Sequence, residues 1–178
     1  MKAIYYFNQD KPAKMHKILD SLEGKCMRVR DHAAVHTFRA LAYEDEKLYE
    51  KAISAYEKVL QYDMANTTAW SNLGLRYKEL GKYNEAYDAY SNAILYNPEN
   101  AYAYNNMANF FLDVAEPQAA LAYALKSIEL NANVYQAMGA ASIAYKLLGD
   151  EENAEKYCKM YGMNGGNMGA LRQKLATM

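Results

Sequence analysis

His32 and His36 are spaced for metal chemistry, because side chains four residues apart on a helix lie on one face and can share a metal ion. A protein metal site needs three or four ligands. Cys26 is the only other candidate close in sequence, and His16 lies in a separate segment. We therefore predict that the two histidines pack within the fold, and we expect no metal ion and no other cofactor.

No arrangement typical of a catalytic site is present in the sequence. The glycine-rich run from Gly162 to Gly169 lacks the Gly-Lys-Ser/Thr ending and the preceding strand of a phosphate-binding loop, so we predict a linker there. No Ser or Cys has a plausible base nearby, and the acidic pairs Glu44-Asp45 and Glu151-Glu152 are typical of solvated helix ends. We expect a protein that is not an enzyme.

The composition narrows the class of protein further. The chain has 178 residues, enough for one domain with a substantial core, and a formal net charge of -1. Nucleic acid is an unfavourable partner, because phosphate binding requires a basic surface. The two cysteines, Cys26 and Cys158, are too distant for a disulfide framework, and no apolar run suits a signal peptide or a membrane span. We expect a cytoplasmic protein that does not bind membranes.

The elements that position these residues follow from an internal repeat. One aromatic series and two series of small residues recur at a constant interval of 34 residues. The aromatic series is Tyr43, Tyr77, Phe111 and Tyr145, and the small series are Ala40, Gly74, Ala108, Ser142 and Ala52, Ala86, Ala120, Ala154. We interpret most of the chain as four copies of one structural unit.

The second copy carries eight spaced residues that form a signature, in order Trp70, Leu73, Gly74, Tyr77, Ala86, Tyr90, Ala93 and Pro98. In these residues it resembles the tetratricopeptide repeat, a pair of antiparallel helices. In the other copies His36, Tyr104 and Met138 replace the tryptophan, whereas the small and aromatic positions persist. The resemblance implies an all-α fold, a right-handed α-α superhelix (solenoid) of tetratricopeptide repeats.

The repeat interval also predicts the extent of each unit within a single domain of residues 1–178. The four repeats are placed at residues 33–66, 67–100, 101–134 and 135–168. Residues 1–32 are predicted to form a divergent N-terminal helical pair, and residues 169–178 a C-terminal capping helix. In that helix Leu171, Leu175 and Met178 would cover the last repeat.

Small residues are expected where the two helices of a repeat approach most closely. Gly74 is predicted to face Ala86 at such a crossing, with Trp70 between the two helices. The other local signals are turns at Gly81 and Gly149 and helix N-caps at Asn66 and Asn100.

The resemblance implies that a partner binds along the first helices, which line the concave face of such a solenoid. The candidate peptide-binding groove consists of Asn72, Leu75, Tyr102, Asn105, Asn106, Asn109 and Gln136, and Gly139, Ala140 and Ile143 lie on the same face. Side-chain amides can pair with a peptide backbone as donors and as acceptors, and Leu75 and Tyr102 supply apolar contacts.

Two binding modes known in the family can be compared with these residues. In some members successive asparagines hold a peptide main chain, and Asn72 and Asn106 resemble that ladder. Replacing both with Ala is then expected to weaken binding without changing stability. The carboxylate clamp for the acidic C-termini of heat-shock chaperones is not matched, because only Asn72 fits it.

The charges on the first helices suggest the character of the partner. Acidic residues outnumber basic ones, with Glu44, Asp45, Glu79 and Asp113 against Lys78 and Lys146. We therefore expect a neutral to mildly basic protein or peptide with apolar anchors.

The sequence predicts a protein-protein interaction module, an adaptor or scaffold that binds a peptide segment of a partner in its concave groove. Such a module would be a monomer or a weak dimer. The alternative is a structural or self-assembling protein that oligomerises through the ends or the convex face of the superhelix.

Overall fold

The structure is a computed structural model that describes residues 12–24 and 28–177. Within these residues it contains ten α-helices and no β-strand, which confirms the prediction of an all-α helical-repeat solenoid. The helices are α1 (Pro12–Glu23), α2 (Val29–Asp45), α3 (Tyr49–Tyr62), α4 (Thr67–Glu79), α5 (Tyr83–Tyr96), α6 (Ala101–Asp113), α7 (Pro117–Leu130), α8 (Tyr135–Leu147), α9 (Glu151–Met163) and α10 (Met168–Ala176). Cys26, Met178 and the first half of the predicted N-terminal pair lie outside the described residues.

The helices belong to two compact units. The first unit ends at Tyr96 and the second begins at Asn97, so α1 to α5 belong to one and α6 to α10 to the other. Consecutive helices pair as α2 with α3, α4 with α5, α6 with α7 and α8 with α9. The interpretation as a single domain with the repeat boundaries given above stays a prediction.

The small residues of the repeat lie in the interior of both units. Their exposed fraction is 0% at Ala40, Ala52, Ala86, Ala108, Ala120 and Ser142 and 3% at Ala154. In the last pair the Ser142 hydroxyl donates a hydrogen bond of 2.7 Å to the Ala154 carbonyl. The backbone of α9 therefore lies directly against a side chain of α8 at this crossing.

Gly74 makes room for a buried aromatic ring. A Cβ atom placed on Gly74 would lie 2.6 Å from Cε1 of Tyr90, and its three nearest atoms all belong to the Tyr90 ring. The contact between Gly74 and Ala86 stays a prediction. Trp70 does lie against the second helix of its pair, since its ring stacks on Tyr96 with centroids 6.3 Å apart.

The four turns that join first helices to second helices share a left-handed residue at the same repeat position. The φ angles are 57° at Lys47, 73° at Gly81, 59° at Ala115 and 81° at Gly149. The turns predicted at the two glycines are confirmed. Lys47 and Ala115 carry a Cβ atom, which costs roughly 1–2 kcal/mol in this conformation.

The predicted N-caps are also confirmed. The side-chain oxygen of Asn66 accepts a hydrogen bond of 3.0 Å from the Ala69 amide. The side-chain oxygen of Asn100 accepts from the Tyr102 amide at 3.1 Å. Each cap satisfies a donor that the first turn of a helix leaves unpaired.

His36 packs against an aromatic ring in the way that Trp70 does one repeat later. Its ring is 1% exposed and stacks on Tyr62 with centroids 5.8 Å apart, and His32 stacks on the same ring at 5.1 Å. Burial lowers the pKa of His36 although the carboxylate of Glu23 lies 3.4 Å from its Nε2 atom. Among the described residues no group of three or more His, Cys, Asp or Glu side chains could hold a metal ion.

The left-handed turns lead to a first prediction. Ala115→Gly should raise the free energy of unfolding by about 1 kcal/mol, because glycine adopts a positive φ without a Cβ clash. The greater conformational freedom of glycine in the unfolded chain offsets part of this gain. Gly149→Ala, in the equivalent turn, should lower it by a similar amount. Urea denaturation of both variants measures the effect, and a destabilised Ala115→Gly protein would contradict this account of the turn.

The crossing of α4 and α5 leads to a second prediction. Gly74→Ala should lower the free energy of unfolding by about 1–3 kcal/mol, because the new Cβ atom overlaps the Tyr90 ring. Gly169→Ala in α10 is the matched control, since its Cβ atom would meet only the Asn167 side chain, at 3.5 Å. That control should be neutral or stabilising, because Ala is the better helix former. Equal melting temperatures for the two variants would show that Gly74 is not needed for packing.

Candidate functional site

A groove in the second unit is lined by three of the residues predicted to bind a peptide. Its volume is about 400 Å³, and it lies between α6, α8 and α10, with one side chain from α9. The lining residues are Asn105, Asn109, Gln136, Gly139, Ala140, Ile143, Tyr161, Asn167, Ala170, Leu171 and Lys174. We call this surface the C-terminal groove.

The helical period places these polar side chains side by side. Asn105 and Asn109 are one turn apart on α6, and Gln136 and Ala140 are one turn apart on α8. The side-chain amide of Asn109 donates a hydrogen bond of 2.9 Å to the backbone carbonyl of Asn105. This bond fixes the Asn109 side chain along the wall of the groove.

Asn105 has a buried side-chain oxygen without a partner in the described part of the chain. The residue is 8% exposed, and its Oδ1 atom is inaccessible and accepts no hydrogen bond from the described residues. An unpaired buried acceptor costs roughly 1–3 kcal/mol. A ligand N–H would recover that energy once the Asn105 side chain turns toward the groove.

Apolar side chains form the other wall of the C-terminal groove. Ile143 and Leu171 are 7% and 8% exposed and belong to one buried cluster with Cys158. The ring of Tyr161 lies against Gly139, where an added Cβ atom would be 3.2 Å from it. A ligand side chain placed here would be surrounded by carbon atoms on one side and by amides on the other.

The charge of the C-terminal groove comes from one residue. Among the described residues that line it, Lys174 alone is charged. Its side chain is exposed and forms no ion pair within the described part of the chain. A carboxylate of a bound ligand would therefore be favoured near α10.

Asn72, a predicted ligand residue, belongs to an internal hydrogen-bond network of the first unit. Its side-chain amide donates to the Tyr56 hydroxyl at 2.9 Å, and that hydroxyl donates to Glu44 at 3.1 Å. Arg76 then links Glu44, at 3.5 Å, to Glu79, at 2.9 Å. The network connects α3 to α2 and α4. The side-chain N–H group of Asn72 therefore stabilises the fold.

In this network the pKa values of buried Tyr56 and of half-buried Glu44 are raised. Burial and the charge of Glu44 raise the pKa of Tyr56, which is fully buried. Burial also raises the pKa of Glu44, although Arg76 opposes the shift. Both side chains lose contact with water on folding and form polar contacts within this network in its place.

The remaining predicted residues do not line the C-terminal groove. Leu75 and Asn106 are half-buried on α4 and α6, and Tyr102 is 58% exposed at the start of α6. Asn72 and Asn106 belong to different compact units, so the asparagine ladder stays a prediction.

The acidic side chains of the first helices are partly neutralised by ion pairs. Arg76, also on a first helix, pairs with both Glu44 and Glu79. Lys146 pairs with Glu151 at 2.6 Å. The first-helix charges therefore give no support to a preference for basic peptides.

Comparisons with known proteins agree with the repeat pattern. A family model described as a tetratricopeptide repeat matches residues 33–66, and one described as a TPR repeat matches residues 74–113. These matches support a tetratricopeptide repeat protein. They also support a general role in protein interaction, as a module or scaffold. No curated protein matches the chain significantly.

Solved structures resemble this protein over nearly its whole length. MamA is 20% identical, with a TM-score of 0.73 over 96% of this chain and 94% of that one. PilF of Pseudomonas aeruginosa is 23% identical, with a TM-score of 0.79 over 98% of this chain and 80% of that one. BtubC from P. vanneervenii is 18% identical, with a TM-score of 0.79 over 93% of this chain and 79% of that one. At these identities the likeness shows the fold alone.

None of the helices in the described part of the chain is long and apolar enough to cross a membrane.

Sequence reasoning missed the part of the groove that α9 and α10 contribute. Tyr161, Asn167 and Lys174 lie outside the first-helix positions from which the groove was predicted. The helix predicted at residues 169–178 could have indicated Lys174. On that helix Lys174 follows Leu171 by three residues, so both side chains lie on the same face.

The Asn72 network leads to a third prediction. Asn72→Ala should lower the free energy of unfolding by about 1 kcal/mol, because the buried Tyr56 hydroxyl loses a donor. This differs from the sequence-based expectation of unchanged stability. Asn106→Ala is the matched control, since no side-chain hydrogen bond of Asn106 is present among the described residues. Thermal melting of the two variants measures the difference. Equal melting temperatures would show that Asn72 does not stabilise the fold.

Proposed function

We propose that the protein is an interaction module that captures a peptide segment of a partner protein in the C-terminal groove. The observation that carries the proposal is the unpaired Oδ1 atom of Asn105, because a peptide N–H is the donor it lacks. In the free protein this oxygen is covered, and a peptide N–H would reach it after the Asn105 side chain turns toward the groove.

The groove favours a particular kind of segment. Ile143, Leu171 and the Tyr161 ring suit one apolar anchor, while Gln136 and Asn109 supply further amide groups for the peptide backbone. Lys174 favours an acidic side chain or a terminal carboxylate beside the anchor. The proposed ligand is therefore an apolar segment with a nearby carboxylate, in place of the mildly basic peptide expected from the sequence.

The role proposed for the protein is binding rather than catalysis. Its rival is self-assembly through other surfaces, which the sequence left open. The two differ in a simple respect: a groove binder needs Asn105 and Lys174 for its partner, whereas an assembler associates without them.

A fourth prediction tests the groove with peptides selected from a displayed random library on the wild-type protein. Asn105→Ala should weaken the selected peptides at least tenfold, because a buried backbone N–H loses its acceptor. Lys174→Ala should weaken them less, by about two- to fivefold, and the loss should shrink as salt rises. Fluorescence anisotropy of labelled peptides measures both affinities.

Matched controls are available in the same unit. Gln118→Ala and Lys156→Ala change exposed residues of α7 and α9 that do not line the groove, and they should bind as wild type does. Thermal melting establishes that each variant is folded. Wild-type affinity in folded Asn105→Ala would place the ligand elsewhere. A stable dimer in sedimentation that both groove variants preserve would favour self-assembly.

A further inference from the structure

A second groove lies in the first unit, on the side formed by its second helices. It has a volume of about 420 Å³ and is bounded by α3, α4 and α5. Its lining residues are Glu57, Leu60, Gln61, Met64, Trp70, Leu73, Tyr77, Glu85, Asp88 and Ala89. We call it the acidic groove, and it shares no residue with the C-terminal groove.

The floor of the acidic groove is apolar and firmly held. Leu60, Leu73 and Ala89 are at most 7% exposed and belong to the main core of the unit. The indole of Trp70 stacks on Tyr96 and donates a hydrogen bond of 2.9 Å to the Met64 carbonyl. The indole is thus fixed while part of it still faces the groove.

Three carboxylates border this floor, from Glu57, Glu85 and Asp88. Glu57 accepts a hydrogen bond of 3.0 Å from the Tyr77 hydroxyl. In the described part of the chain none of the three forms an ion pair, and no Lys or Arg lines the groove. Lys82 lies near this wall, with its Nζ atom 6.0 Å from the centroid of the Tyr77 ring.

The titration of Tyr77 supports the negative character of this surface. Burial, the hydrogen bond to Glu57 and the charges of Glu57 and Glu85 raise its pKa to about 12. The carboxylates therefore act together on a group at the groove wall.

We infer that the acidic groove is a second docking site, whose occupant is an amphipathic basic segment of a partner protein. One apolar side chain of that segment lies on Trp70 and Leu73, and flanking Lys or Arg side chains pair with Glu85 and Asp88. Charge complementarity favours this occupant. Carboxylates without ion pairs beside an apolar floor attract a segment in which Lys or Arg side chains flank an apolar side chain. The floor residues Trp70, Leu73 and Tyr77 also follow one face of α4 at the spacing that helical ligands match.

A fifth prediction tests the acidic groove through Trp70, the single tryptophan of the chain. The probe is a 14-residue (about four turns) amphipathic peptide of Leu and Lys without aromatic residues, and its counterpart replaces each Lys with Glu. The Leu/Lys peptide should change the Trp70 emission in a saturable titration, and salt should weaken its binding. The Leu/Glu peptide should leave the emission unchanged.

Two variants locate the binding on the protein. Glu85→Gln combined with Asp88→Asn should weaken the Leu/Lys peptide about fivefold, because two exposed ion pairs are lost. Gln61→Arg, which places a cation at the border of the groove, should weaken it as well. Asp45→Asn combined with Glu50→Gln removes two exposed charges away from the groove and is the control for net charge.

Three results would overturn the inference: equal affinity for the Leu/Glu peptide, wild-type affinity in Glu85→Gln/Asp88→Asn, or binding seen by calorimetry without a change in Trp70 emission. The test is independent of the proposed function. Asn105→Ala should leave the Leu/Lys peptide unaffected, so either groove can fail without the other.

Discussion

Close contact between the two helices of each pair is the constraint on which the rest of the structure depends. It requires a small buried residue at the same place in every first and second helix, and Ala40, Ala108 and Ala120 are each 0% exposed. Because these positions recur every 34 residues, the faces of successive first helices also recur. The amides of α6 and α8 therefore reach one groove, with α10 closing one side. In such a protein the packing of the helices determines which side chains form a binding surface.

The two compact units meet this constraint in different ways. In the first unit the second helices carry Ala followed by Tyr, as at Ala89-Tyr90, and the ring of Tyr90 fills the space that Gly74 leaves. In the second unit the order is reversed, and Tyr123 and Tyr157 precede a small residue. Their rings stack on Phe111 and Tyr145 with centroids 5.3 and 5.4 Å apart. Moving the aromatic by one position turns it by about 100° around the helix, so it packs on a different neighbour.

The sequence predicted the helices, the glycine turns and the asparagine caps, because each depends on local chemistry or on the repeat interval. It did not predict that Tyr90 occupies the space at Gly74 or that Tyr56 engages Asn72, since these contacts join different helices and depend on their relative rotation. Asn105, Asn109 and Gln136 were found from their place in the repeat. Lys174 and Tyr161 were missed because a capping helix and its neighbour follow no groove pattern. The acidic groove was not predicted because its carboxylates lie on second helices, outside the face that the repeat assigns to binding.

The proposed function depends on a hydrogen bond between Asn105 and a peptide backbone. A crystal structure of the protein with a peptide selected on the wild-type chain would show this bond. We expect a backbone N–H of the peptide within about 3.2 Å of the Oδ1 atom of Asn105, with an apolar side chain against Ile143 and Leu171. A peptide bound on another surface, with that oxygen still unpaired or bonded only to water, would contradict it.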